Sequence, residues 1–197
     1  MTPQQLHGCL DFIRQAEHLK HTLRNTHTSA GRHESTAEHT WRLCLMVMVF
    51  EDEFSGIDFA RLLKICLIHD LGEAIGGDTP AVDRATDLDK SARERTDLQT
   101  LLAPLDEARR AAFLDLWDDY ESAASAEARL AKGLDKLETI IQHNQAEQPG
   151  AFDYGFNLDY GRKHMDAHPL LGAIRALLDE ETRRRAAGDL DSGSATP

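Results

Sequence analysis

The dipeptide His69-Asp70 closes the apolar run Leu62-Leu63-Lys64-Ile65-Cys66-Leu67-Ile68. That run reads as a buried helix, so its end carries an imidazole and a carboxylate into the core. Burying both without a partner costs several kcal/mol. A chain with this sequence therefore has to fold so that a partner reaches them. A divalent cation is such a partner, because it binds neutral imidazole and carboxylate together. Two further ligands stand in suitable places, His39 upstream and Asp135 downstream.

The surrounding pattern predicts a nearly all-α chain. Alternation of β-branched residues is almost absent, while Leu, Ala, Arg and Glu recur at helical spacing. A first helix is expected over residues 4–20, with Leu10, Ile13 and Ala16 on one face. A loop over 22–34 follows, with Gly31 as breaker. Ser35-Thr36-Ala37-Glu38 is a capping box. It starts a helix to about Phe50 that holds His39 in its first turn and Leu43, Met46 and Val47 on its core side. Another helix spans 57 to about 69–71, and Gly72, Gly76, Gly77 and Asp78-Thr79-Pro80 then interrupt regular structure. Further helices are expected over 87–103, from Pro104-Leu105-Asp106 through Phe113, Leu116, Trp117 and Tyr120, over 126–145 until Pro149-Gly150, and over 169–185. Residues 152–160 read as an aromatic loop. The expected organisation is one helical domain over 1–185 and a disordered Gly/Ser/Ala/Asp tail over 186–197.

Charge narrows the function. The chain has 197 residues, enough for one sizeable core, and a formal net charge of −12. A dedicated binder of nucleic acid polymers would need a basic face, which this balance argues against. A small phosphorylated substrate is compatible with it, since a metal and a few local cations overcome the global field. No apolar run approaches the ~18 residues of a membrane span. The odd set Cys9, Cys44 and Cys66, without a CxxC spacing, reads as reduced thiols of a cytoplasmic protein.

The candidate metal set is His39, His69, Asp70 and Asp135. A mixed N/O set suits Mn, Fe, Co, Ni or Zn better than Ca or Mg. Taken singly, each histidine is more simply a satisfied core residue, and Asp135 a partner of Lys132 or Lys136. The joint order, spacing and helical context favour a site.

These residues carry a resemblance. His39, then His69-Asp70, then Asp135 resembles the HD-domain metal-dependent phosphohydrolases. Arg32-His33-Glu34-Ser35-Thr36-Ala37-Glu38-His39 resembles that family's entry to its first metal helix. The stretch from His69 to Asp78 resembles its longer His-Asp-x-x-Glu-x-x-x-Gly-Asp signature. Trp117 to Glu121 and Ser125 to Ala128, with Lys132 and Asp135-Lys136, resemble its third segment. The extended set is similar to the 5′-deoxynucleotidase branch and covers roughly residues 12–145.

The resemblance implies an HD-domain helical bundle with one divalent metal ion per chain on His39, His69, Asp70 and Asp135. It implies an enzyme that removes the 5′-phosphate from (deoxy)ribonucleoside 5′-monophosphates by attack of a metal-activated water. Glu73 is implied to orient the water or a substrate group, and Asp78 to protonate or organise the leaving oxygen. On residue type alone, Glu73 is a solvated helix-end carboxylate and Asp78 a turn cap before Pro80. For phosphate binding Arg24 is the first candidate, with Arg32 and Lys136 behind it.

One departure stands out. An aromatic residue often follows the arginine in this branch and packs on the sugar, but here the stretch is Arg24-Asn25-Thr26-His27-Thr28. Two alternatives compete with the nucleotidase reading: an HD-type phosphodiesterase or pyrophosphohydrolase acting on another nucleotide, and a non-catalytic helical protein with a structural metal. Trp117, Phe113 and the aromatics Phe152, Tyr154 and Phe156 offer surface for a homodimer, or fold onto their own domain.

Overall fold

The computed structural model of the protein describes residues 1–79, 90–147 and 152–188. Within them the chain is built almost entirely of helices: α1 (Pro3–Ala16), α2 (Thr36–Val49), α3 (Phe59–Ile68), α4 (Glu73–Gly76), α5 (Lys90–Leu102), α6 (Glu107–Ser122), α7 (Ala126–Gln145), α8 (Tyr154–Asp159) and α9 (Pro169–Ala187). Two short strands, β1 (Leu23–His27) and β2 (His33–Ser35), pair antiparallel. The expected all-α bundle is what forms.

Helix α7 is the axis. Leu130, Leu134, Leu137 and Ile140 recur at helical spacing and are fully or almost fully buried. They meet Leu43, Met46 and Val47 of α2, Leu62, Ile65 and Cys66 of α3, and Leu171 and Leu178 of α9 in one core. A second core joins Leu98, Leu101 and Leu102 of α5 to Ile68, Leu71, Leu105 and Trp117. The His69-Asp70 pair sits at the end of α3, between Ile68 of the second core and Ile65 of the first.

Local signals set the helix boundaries. Ser35 and Glu38 form the capping box: the Ser35 hydroxyl accepts the Glu38 N–H at 3.3 Å, and Glu38 accepts the Ser35 N–H at 2.9 Å. Asp58, Asp106 and Ser125 cap α3, α6 and α7 in the same way with one side-chain acceptor each. After α4 the chain turns at Gly77, where φ is +81°, a conformation that side chains with a Cβ rarely adopt. Gly72 has a packing role, because a Cβ there would lie 2.7 Å from the Glu94 carbonyl oxygen of α5.

Several expectations change. Residues 22–34 form a hairpin rather than a loop. Thr28 N–H to Arg32 O (2.7 Å) closes its tip, and Gln142 of α7 donates to the His27 carbonyl at 2.6 Å, so tertiary contacts make strands that composition does not announce. The stretch 152–160 contains α8, with Phe156 and Tyr160 stacked one turn apart at 5.3 Å. The segment broken by glycines still makes the short helix α4. Helix α1 stops at Ala16 and continues as a 3₁₀ turn to Lys20. Its packed side is Cys9, Phe12 and Ala16, while Leu10 and Ile13 face solvent. Trp117 is buried, and Phe113 meets Phe12 edge-on at 5.4 Å, so neither supplies a dimer surface. Residues 186–187 end α9 and Gly188 caps it. The expected start of α5 at 87–89, Pro80, Pro149-Gly150 and the tail over 189–197 lie outside the described residues. Among the described residues no helix is long and apolar enough to cross a membrane.

Ser35→Ala removes an N-cap and is expected to destabilise the protein by about 1 kcal/mol in a denaturant titration. The companion Glu38 carboxyl is lowered from 4.5 to about 2, chiefly by its hydrogen bond from Arg32. Its folded value lies below its unfolded one, so its contribution is complete above about pH 4.5 and fades as pH falls toward 2. Glu38→Gln should flatten that part of the stability profile.

Candidate metal centre

Three elements converge on one buried point. The first turn of α2 supplies His39, the end of α3 supplies His69 and Asp70, and the middle of α7 supplies Asp135. Ligand atoms of His39, His69 and Asp70 all lie within 4.8 Å of one another. His39 Nε2 is 3.2 Å from Asp135 Oδ1 and 3.8 Å from Asp70 Oδ2. His69 Nε2 is 3.0 Å from Asp70 Oδ2 and 3.9 Å from Asp135 Oδ1. The two imidazole rings stand edge to face at 5.5 Å. The structure thus brings together all four residues that the sequence singled out.

The other ring nitrogens fix the tautomers. His69 Nδ1 donates to the Cys66 carbonyl at 2.8 Å, and His39 Nδ1 donates to the Glu138 carboxylate. Both partners accept only, so each Nδ1 carries the proton and each Nε2 presents a lone pair. Both Nε2 atoms are buried and make no hydrogen bond. Two lone pairs and two carboxylate oxygens therefore point at one small volume. That arrangement is repulsive unless a cation fills it, and its N/O donors fit a divalent metal. When a proton takes that place, the balance is visible in His39. Burial and Arg24 oppose its imidazolium, yet Glu138 and Asp135 outweigh them and lift its pKa to about 9. Asp70 and Asp135 are held well below the usual carboxylate range. Burial opposes this in both, but His69 acts on Asp70, and Lys136, His39 and His69 act on Asp135.

Around this set lies a ring of supporting groups, of which the sequence disclosed only Lys136 as a partner for Asp135. Glu138 is fully buried, one turn beyond Asp135 on α7. It joins His39 to Arg42, whose Nε lies 2.6 Å from its other oxygen. The signal was the i+3 spacing from Asp135 within an apolar stripe, which reads equally well as a solvated glutamate. Tyr120 OH donates to Asp135 Oδ2 at 2.7 Å, and Lys136 Nζ lies 2.6 Å from the same oxygen. Only Oδ1 of Asp135 is then left to face the histidines. Supports of this kind orient ligands and raise their affinity.

The remaining candidates divide. Glu73 is buried in α4. Its Oε2 accepts from Thr36 Oγ1 at 3.1 Å, while Oε1 is buried without a hydrogen bond. Burial, with Asp70 and Asp78 nearby, pushes its carboxyl well above the ordinary value. Asp78 is half-buried and within electrostatic reach of both Glu73 and Arg24. Arg24 is nearly buried. One end bonds Thr139 Oγ1 at 3.1 Å, and NH1 lies 3.7–3.8 Å from Glu34 and Glu138 with no hydrogen bond. Burial works against its charge, but Glu138, Glu34, Asp70 and Asp78 raise its pKa further. Arg32 is not part of this group. It pairs with Glu38 at 2.5 Å and, with Glu34, Trp41, Arg42 and Gln142, borders an open cleft of about 300 Å³. None of the four candidate ligands lines that cleft. Lys136 is at the centre, committed to Asp135 and 5.5 Å from the Tyr160 ring.

Comparison with known proteins places these features. A family model described as HD domain matches residues 16–175. The chain is 32% identical over 186 residues to the 5′-deoxynucleotidase HDDC2 of Danio rerio, covering 91% of this chain and 90% of that protein. It is 33% identical over 174 residues to the human protein of the same name, covering 85% and 84%. Among solved structures, a protein described as a predicted metal-dependent phosphohydrolase from Magnetospirillum magnetotacticum superposes with a TM-score of 0.82 at 28% identity. The match covers 93% of this chain and 95% of that one.

Glu138→Gln keeps the side-chain volume but weakens the hold on His39 Nδ1. Metal affinity, read by competition with a chromophoric chelator, should fall tenfold to a hundredfold. Stripping the metal from the unmodified protein should lower its melting temperature, since an ion that binds only the folded state stabilises it.

Proposed function

The chain belongs to the HD-domain family, and on that premise we propose that it is a metal-dependent phosphohydrolase that removes the 5′-phosphate from nucleoside 5′-monophosphates. The observation that carries this reading is the convergence of two unpaired Nε2 atoms with Asp70 and Asp135 beside a buried, unsatisfied Glu73 oxygen. A structural metal site has no use for Glu73 or for an arginine with a free buried N–H next to it.

One divalent ion per chain would be held by His39, His69, Asp70 and Asp135, with Mn, Co, Fe, Ni or Zn suited to the donor set. When bound, it supplies a polarised phosphoryl group and a water of lowered pKa. The protein does the rest. Arg24 offers its unsatisfied NH1 to a phosphate oxygen, a charge-assisted contact on a guanidinium already oriented by Thr139. Glu73 Oε1 orients the attacking water, held in place because Thr36 fixes the other oxygen. Asp78, displayed just after the Gly77 turn, relays the proton lost by the attacking water to the leaving 5′ oxygen as the P–O bond breaks. Lys136 neutralises Asp135 and occupies its Oδ2, which leaves Oδ1 toward the histidines, a positioning role rather than direct phosphate binding. Arg32 is left to the capping box.

The sugar pocket lacks the aromatic common in the deoxynucleotidase branch. Asn25 is exposed, Thr26 is buried, and the His27 ring stacks on His33 at 4.1 Å. We assign weak discrimination against a 2′ hydroxyl, below the ~100-fold that packing alone achieves elsewhere. The cysteines are all free, with Cys66 fully buried, which supports a reducing, cytoplasmic setting.

Phosphate release from paired deoxy- and ribonucleoside 5′-monophosphates and their 3′ isomers tests the reading on metal-loaded protein. Release from the 5′ compounds alone, abolished by Asp70→Ala, is expected, with a deoxy-to-ribo ratio in kcat/KM below ~100. Arg24→Met should raise KM at least tenfold while metal content stays whole. No release from any monophosphate by protein that still binds metal tightly overturns the assignment.

A further inference from the structure

The open cleft at the hairpin tip has a chemistry of its own. Glu34 borders it and is only 2% exposed, yet its Oε2 is buried and makes no hydrogen bond. Thr28 Oγ1, on the same lining, is buried and equally without a partner. A buried polar atom left in this way carries a cost that a ligand can remove. Beside them stands Trp41, 64% exposed. The cations of the cleft are already committed. Arg32 gives both terminal nitrogens to Glu38, at 2.9 and 2.5 Å. Arg42 gives Nε to Glu138 at 2.6 Å and NH1 to Gln145 at 2.9 Å. A phosphate or carboxylate would have to break one of these contacts, and a cationic ligand would lie beside two guanidiniums.

We propose that this cleft is a second binding site, separate from the metal centre, for an uncharged nucleoside whose base carries an amino group. An aromatic wall, a buried acceptor and a buried hydroxyl fit a flat ring with an amino group next to a ring nitrogen. The amino group donates to Glu34, the ring nitrogen accepts from Thr28, and the ring stacks on Trp41 as bases do on aromatic side chains. Adenine and cytosine present that edge through their exocyclic amines. Uracil puts a carbonyl oxygen where cytosine has its amine.

Size agrees with a ligand of that class. A volume of about 300 Å³ stands at the small end of ligand pockets, with room for one small molecule and none for a polymer. The site is also next to the chemistry without being part of it. Glu34 lies 3.7 Å from Arg24 NH1, and Arg42 connects the cleft through Glu138 to His39, but none of the four candidate metal ligands lines it. An occupant that touches Arg42 touches the support of His39. Removing the phosphate from a nucleotide yields an uncharged nucleoside. Equating the ligand with the product therefore rests on the proposed function, whereas the cleft and its chemistry do not.

The chain has two tryptophans, and Trp117 is only 2% exposed, so a ligand that changes the fluorescence reports on Trp41. Adenosine and cytidine added to the metal-stripped full chain should quench it. Uridine should bind at least ~10-fold more weakly, because Glu34 then stays without a donor. Titration calorimetry follows the variants. Trp41→Phe should keep most of the affinity while removing the quench, and Trp41→Ala should weaken binding about tenfold. Asp70→Ala should bind adenosine as the unmodified protein does, and inorganic phosphate should not displace it. Adenosine binding by a protein that releases phosphate from no nucleotide supports the inference and overturns only the reaction. Neither quench nor heat with adenosine overturns the inference. So does binding that vanishes in Asp70→Ala or yields to inorganic phosphate, which puts the nucleoside at the metal centre, or uridine that binds as tightly as adenosine.

Discussion

The structure depends on the contact between His39 and the buried carboxylate of Glu138. One bond joins α2 to α7 through the centre of the bundle, and it sets which nitrogen of His39 faces Asp135 and Asp70. Glu138 is affordable there only because Arg42 and Arg24 surround it, each coming from a different element. Replacing any one of these groups leaves the others as uncompensated buried charge. Carboxylates outnumber fixed cations in this region, with Asp70, Asp135, Glu138, Glu34 and Glu73 set against Arg24, Arg42 and Lys136. Burial and mutual repulsion raise the carboxyls of Glu34 and Glu73 rather than lower them. A divalent ion on Nε2 of both histidines would relieve that imbalance at its centre. That charge deficit would favour a divalent cation over any neutral occupant.

The hairpin shows how the rest of the fold serves that centre. Its strands are short and polar, and alone they would not be stable. They persist because Gln142 and Thr139 of α7 hold the His27 carbonyl and the Arg24 guanidinium, and because Thr36 N–H bonds the Thr22 carbonyl at the start of α2. Arg24 is thereby delivered to the metal centre on a strand rather than a loose loop. Thr36 serves twice, since its hydroxyl also holds Glu73. The first turn of α2 consequently ties together the hairpin, α4 and the candidate metal ligands.

Much of this was legible in the sequence where a residue type had a single physical use. Ser35 and Glu38 at capping spacing fixed the start of α2, and the imidazole and carboxylate at the end of an apolar run meet His39 and Asp135 there. The regular stripe of α7 placed Asp135 inside the core. What escaped were groups whose use depends on a distant partner. Glu138 looks like any helical glutamate until His39 and Arg42 are beside it. Tyr120 reads as a core aromatic until its hydroxyl finds Asp135. Arg32 belongs by motif to the entry of the metal helix, yet Glu38, six residues on, captures it. The hairpin was missed because its pairing is imposed by α7, not by strand propensity.

Helix α2 divides its residues three ways. One face buries Leu43, Met46 and Val47, the first turn carries His39, and the outward sector is filled by Trp41, Leu45, Met48 and Val49. The sequence already set Leu43, Met46 and Val47 on the core side, and the structure adds that Leu45, Met48 and Val49 stay exposed. The bundle covers the inner half by itself. The same helix carries His39 in its first turn, so the packing of its inner half fixes where that imidazole enters the core.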